Sequence, residues 1–438
     1  MRTLFWRKTA VGLSLLCSLA AARAPCSPAA ALAVPENAEA RTALKETIFG
    51  SVRAAAAQPR RVIEQPASRG KVAFEADVQG GALYLVFANQ SGASFPIAGA
   101  GTYIIKRSLR DGSLLQAKVF LQSDPGCFLR ISPIAAGARA SMSLYLFGEP
   151  FQKDIVVPAP FEGLLIAPVS RLIELTANAV DWRLALPPAP GSGDQRVART
   201  VAALRARLAG LRDVEDGAMD SDGRFVLIDD GSPQRVSGAK GARGGFNCSG
   251  FAKWVVDGFF RPLTGSLTDI ASLKQRNTSV RGNRWTAPRE EERDPYFALD
   301  WTRNLARSLE YTRTGELPGP EEMDVRDVEL FPYVEDVGYP VESLATILYV
   351  LERNHPGAIY LGSVNSSPEA GAGTGGIRQH HHVVVLLPYV DERGLFHPVV
   401  MERNVESSVE SMRQRYAGSF VHLVRLDCAG EFALPAVE

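Results

Sequence analysis

Read for its apolar and polar spacing, the chain divides into stretches of different periodicity. An apolar run without charged residues, Thr9–Ala22, follows Arg2, Arg7 and Lys8 and gives way to small residues over 20–33. This order matches an export leader, and Ala31-Leu32-Ala33 before Val34 supplies a small-x-small cleavage site. Residues 34–69 are rich in Ala and Arg, with helical spacing in Ala40–Ala57, and predict a lead-in that is partly helical or disordered. Between about 70 and 180 the pattern becomes short apolar runs, such as Ala82–Phe87, Tyr103–Ile105, Ala117–Leu121 and Ser143–Leu146, separated by Gly, Asn, Asp and Ser. Such runs predict an all-β domain, sandwich-like or a barrel. Pro187, Pro188, Pro190, Gly191 and Gly193 break both kinds of period and mark a linker over 181–195. Beyond it, Val197, Val201, Leu204, Leu208 and Leu211 recur at helical spacing, and helical and β-branched runs then alternate to residue 430. The fold class expected is α+β, with a β-rich unit ahead of a mixed one.

Composition narrows the function classes. Hydrophobic residues make up 46% and charged residues 22% of the 438 positions, enough for two packed cores. Lys plus Arg and Asp plus Glu are equal at 48 each, so no global field recruits nucleic acid or an anionic membrane. The leader's apolar run is short for a bilayer, so no integral span is expected in the mature chain, with a retained anchor as the alternative. The expected location is the periplasm, the cell surface or the medium. Cleavage after Ala33 leaves Cys127, Cys248 and Cys428, an odd number in an oxidising compartment. One thiol is then free, while Cys127 and Cys428 form the remaining possible pair.

The surroundings of Cys248 set it apart. Gly244-Gly245-Phe246-Asn247-Cys248-Ser249-Gly250-Phe251 opens a segment in which Phe251, Trp254, Val255 and Phe259 recur at helical intervals. Cys248 therefore falls at a helix N-terminus, where unpaired N–H groups and the positive dipole end favour a thiolate and an oxyanion. A base is expected in Arg378-Gln379-His380-His381-His382, which runs into the strand Val383–Leu387. His380 and His382 would share one face of an extended strand, and His382 is preferred because it adjoins the apolar run. A metal held by the triplet is the rival, but no metal-ligand spacing accompanies it, and neither metal nor cofactor is expected. Asp391–Gly394 predicts a turn and Val399–Asn404 a returning strand, a register that sets His382 opposite Arg403. One residue of slip selects Glu402 or Asn404 to orient the imidazole.

Asn-Cys-Ser-Gly-Phe on a helix, followed by His at the head of an apolar strand, resembles the NlpC-type branch of papain-like cysteine peptidases and amidases. The resemblance covers about residues 196–430. It implies a papain-like α+β domain, Cys248 as nucleophile, His382 as base, Glu402 or Asn404 as third residue, and cell-wall peptides or other amides as substrate. The sequence departs from the family pattern in three ways. Asn247 replaces the usual aspartate, no upstream tyrosine completes the oxyanion site, and 134 positions separate Cys248 from His382. The last implies an insertion over about 265–340, serving as a lid, a substrate wall or packing. Two other roles fit the same residues: a noncatalytic binding protein on a papain-like scaffold, and an acyl or peptidyl transferase.

Overall fold

The computed structural model describes residues 34–235, 244–277, 294–367 and 378–437; the leader expected at 1–33 lies outside them. Three short helices, α1 (Ala38–Ala43), α2 (Lys45–Phe49) and α3 (Val52–Ala56), precede eight strands. These are β1 (Arg61–Gln65), β2 (Gly70–Gln79), β3 (Ala82–Asn89), β4 (Tyr103–Ser108), β5 (Leu114–Phe120), β6 (Phe128–Ile134), β7 (Arg139–Leu146) and β8 (Glu149–Val157). Each strand pairs with the next in chain order to give one antiparallel eight-stranded sheet. The sandwich expectation is thus corrected: strand spacing does not reveal whether successive hairpins stay in one sheet or fold over into a second. The second layer is helical instead. Helices α4 (Phe161–Ile166) and α5 (Val169–Thr176) place Phe161, Leu164, Leu172 and Ile173 in one core with Leu83, Leu85, Phe87 and Ile105.

The segment expected as a lead-in belongs to that core too. Ala40, Leu44, Ile48 and Ala55 are buried in it. The fully buried Arg41 donates to Asn37 Oδ1 and to the Leu165 carbonyl, both at 2.7 Å, and lies 4.0 Å from the Tyr103 ring centre. A buried guanidinium is tolerable only with its donors satisfied, and here that requirement ties α1 to α4.

After α6 (Trp182–Ala185), residues 187–194 cross to the second unit, where Asp194 caps α7 (Gln195–Leu208). Next come β9 (Ala218–Met219), β10 (Phe225–Val226), α8 (Cys248–Thr264), α9 (Ile270–Leu273), α10 (Phe297–Thr314), β11 (Tyr339–Pro340) and α11 (Leu344–Asn354). The remainder is β12 (Ala358–Ser366), β13 (Gln379–Val390), β14 (Phe396–Glu402), β15 (Val405–Ser408), α12 (Val409–Arg415) and β16 (Phe420–Asp427). Six of these strands form an antiparallel sheet in the order β11-β16-β12-β13-β14-β15. Val383, Val385 and Leu387 of β13 pack with Phe251 and Trp254 of α8 and Trp301 of α10. Val384 and Leu386 face the other way, toward Leu344, Tyr349 and Met412. Cover on both faces explains why this strand is apolar without alternation.

The two units share a core. Cys127, Leu146 and Phe151 of the first pack in one cluster with Leu344, Tyr349 and Val400 of the second. The β7–β8 turn drives Phe147 into the junction, 5.4 Å from the Tyr349 ring and 5.6 Å from Phe396. Phe147 holds a left-handed backbone (φ 51), an unfavourable state for a bulky residue that these contacts offset. Among the described residues no helix is long and apolar enough to cross a membrane. Because this cluster draws on both units, they should unfold together. Leu344→Ala is expected to cost about 2–5 kcal/mol and to lower a single calorimetric transition. Two resolved transitions, with only the later one shifted, would contradict the shared core.

Candidate active site

The start of α8 is fixed from several directions. Asn247 is its N-cap, with Oδ1 accepting the Gly250 N–H at 2.8 Å, so Cys248 is the first helical residue. A Cβ on Gly250 would stand 1.9 Å from the Gly217 carbonyl oxygen, so only glycine lets the loop before β9 lie against the helix. That loop accepts the Asn247 N–H through Gly217, while Gln234 both donates to and accepts from the Gly245 backbone at 2.9 Å. From the other side Trp301 donates its indole N–H to the Ser249 carbonyl at 3.0 Å. The expected insertion is therefore not a detached lid: α10, within it, buries Trp301, Leu305 and Leu309 in the domain's core.

His382 arrives on β13. Registers run Val390↔Phe396 to Val385↔Met401, one residue out from the sequence expectation, because the turn uses three residues, 392–394, with Gly394 at φ 81. Extended, that register would set Asn404 opposite His382, but the pairing ends at Val385↔Met401 and Glu402 is the residue that meets the imidazole. Its Oε2 accepts from His382 Nε2 at 2.9 Å, and both side chains are buried. A carboxylate can only accept, so Nε2 carries the proton and Nδ1 is the nitrogen left for the thiol. Asn404 occupies the two-residue turn between β14 and β15, buried and with neither amide atom hydrogen-bonded to a described residue. Of the two candidates, the structure brings Glu402 and not Asn404 to the imidazole.

The three histidines diverge. A bulge pairs Val364 with His382 and Asn365 with His380, skipping His381 and breaking the alternation that would have put His380 and His382 on one face. His380 turns to Ser363 Oγ at 2.8 Å, and His381 is exposed. The tract therefore does not converge on a metal. Cys127, Cys248 and Cys428 are all free thiols, the first and last buried in different clusters and not paired with each other.

Two residues of the site carried no signal in the sequence. Arg415, at the end of α12, binds Glu402 Oε1, and its Nη2 reaches Ser407 Oγ at 3.1 Å. Tyr416 sets its ring 5.8 Å from the His382 ring, inclined at 30°. Both lie in a run that reads as an ordinary charged surface helix; only the need of a buried carboxylate for a second cation could have singled Arg415 out.

These contacts fix the protonation states. Burial pushes the Cys248 thiol up, but hydrogen bonding and the charge of His382 outweigh it and hold the thiol below its ordinary range. Burial pulls His382 down, but Cys248 and Glu402 raise it to about 9. Burial raises Glu402 as well, yet His382 and Arg415 bring it to about 2. The arrangement favours thiolate, imidazolium and carboxylate in a row, with the free N–H groups of α8 beside the sulfur. It can attack a carbonyl carbon and hand a proton to the leaving group.

The comparisons with known proteins concern the other half of the chain. Residues 30–184 match the profile of a family described as a domain of unknown function, DUF8515. No curated protein and no solved structure matches the chain.

Two outcomes follow from the charges. Iodoacetamide should label Cys248 faster at pH 6 than a small-molecule thiol, and His382→Ala should slow labelling about tenfold or more; equal rates would contradict the ion pair. Glu402, ordinarily near 4.5 and about 2 when folded, adds stability that is complete above pH 4.5 and lost as the pH falls through about 2. His382, raised from 6.5 to about 9, adds stability that is complete below pH 6.5 and lost as the pH rises through about 9. Thermal unfolding across pH should accordingly show a flatter acid limb in Glu402→Gln than in the native protein.

Proposed function

We propose that this chain is an exported thiol-dependent peptidase or amidase acting on peptidoglycan peptides. The observation that carries the reading is Cys248 at the start of α8 beside a buried His382–Glu402 pair. The Cys248 thiolate attacks the amide carbonyl, and the N–H groups of the helix start stabilise the resulting oxyanion. His382 gives its proton to the departing amine as the C–N bond breaks, leaving a thioester on Cys248. His382, now neutral, takes a proton from water as the water attacks the thioester. The carboxylic product leaves and the ion pair is restored.

The substrate class is supported by the resemblance to NlpC-type enzymes and by the export leader, which would deliver the mature chain to the periplasm or cell surface. The β-rich unit, rigidly joined through the common core, would then orient the enzyme on the wall or on a partner. Mature protein incubated under reducing conditions with a muropeptide digest should release new amine and carboxyl termini. Cys248→Ala and His382→Ala should each reduce the rate by about 10³-fold or more. Intact muropeptides after treatment with the native protein, alongside uncut synthetic peptides, would remove the hydrolase reading.

A further inference from the structure

We propose that Arg415 is a positioning residue of this site, a fixed counter-charge that holds the Glu402 carboxylate against His382 and sets the pH range over which the imidazole keeps its proton. The proposal rests on reading Cys248 and His382 as a reactive pair, and specifies how that pair is tuned.

Glu402 is 3% exposed, and its two oxygens are divided between two cations, Oε2 to His382 and Oε1 to Arg415. Were the imidazolium the sole cation on a buried carboxylate, each would hold the other in its charged form. His382 would then release its proton to a leaving group only with difficulty. The guanidinium takes up part of the carboxylate's field and, being permanently charged, does so at every pH at which the protein is folded. Its own charge is cheap to keep, because the Arg415 side chain is 45% exposed while its Nη2 reaches inward. Ser407 Oγ at 3.1 Å and the Tyr416 ring, 5.1 Å from the guanidinium carbon, fix its direction. The groups around the pair come from every neighbouring element: Cys248 from α8, His381 from β13, Arg403 from the β14–β15 turn, and Arg415 and Tyr416 from the end of α12. Arg403 is directed to Asp213 at 3.3 Å, which leaves Arg415 as the cation bound to Glu402 opposite His382.

The sign of the effect follows. Removing the guanidinium leaves the buried carboxylate to the imidazolium alone, so in Arg415→Met the His382 titration should move up by about one pH unit. Arg415→Lys restores the charge and should return the midpoint close to native. In a Glu402→Gln background, Arg415→Met should leave His382 nearly unmoved, because the coupling runs through the carboxylate.

The experiment is NMR titration of ring-labelled histidine in the mature full-length protein, with the His382 signal assigned by its loss in His382→Ala. An upward shift in Arg415→Met, recovery in Arg415→Lys and no response in the Glu402→Gln background would support the proposal. An unmoved midpoint accompanied by a lower Tm would make Arg415 a structural stitch and overturn it. Equal shifts in the Met and Lys variants would also overturn it, because charge would not be the agent. Cys248 alkylation in the native protein, run in parallel, separates the two readings. Slow labelling there removes the reactive pair, while the His382 midpoints still report on Arg415.

Discussion

A carboxylate that folding removes from water has to find compensation, and Glu402 finds it in the His382 ring and the Arg415 guanidinium at 3% exposure. Much of the site's geometry serves that requirement. β14 delivers Glu402 to the imidazole just past the end of its pairing with β13, and α12 folds back so that its last residue meets the carboxylate. With Nε2 thus committed, the opposite ring nitrogen is the one presented to Cys248.

The sulfur is held by an equally specific set of contacts. A first helical residue is mobile unless its cap and the backbone ahead of it are secured. Here Asn247 caps the helix, Gln234 fastens Gly245, and Trp301 ties the Ser249 carbonyl to α10. The long segment between Cys248 and His382 therefore contributes a buttress to the start of α8. The β-rich unit reaches the same sheet from its other face, where Phe147 meets Tyr349 and Phe396. This links the two halves of the chain mechanically.

Local signals were legible in the amino-acid sequence where a short segment decides the outcome. The glycines and Asn247 before an amphipathic run place Cys248 at a helix start, and an unbroken β-branched run after His382 marks a buried strand. Relations between distant segments were not legible. Eight short strands read as a sandwich, because nothing in their spacing shows that the cover comes from Ala40, Ile48, Phe161 and Leu172 on helices. The pairing of β13 with β14 stops at Met401, so turn and register alone do not select Glu402 as the partner of His382, and a bulge at His381 undid the face shared by His380 and His382. Arg415 and Tyr416 gave no cue, since their roles exist only once Glu402 is buried beside them.

The account's central claim is that Cys248 forms a covalent bond with its substrate during turnover. The most direct measurement is intact-protein mass spectrometry of the mature chain, quenched in acid within seconds of mixing with muropeptide. The account predicts a transient mass increase equal to the acyl fragment, mapped to Cys248 and reversed as product accumulates. Turnover of the same peptide by Cys248→Ala, at the native rate and without any adduct, would contradict it.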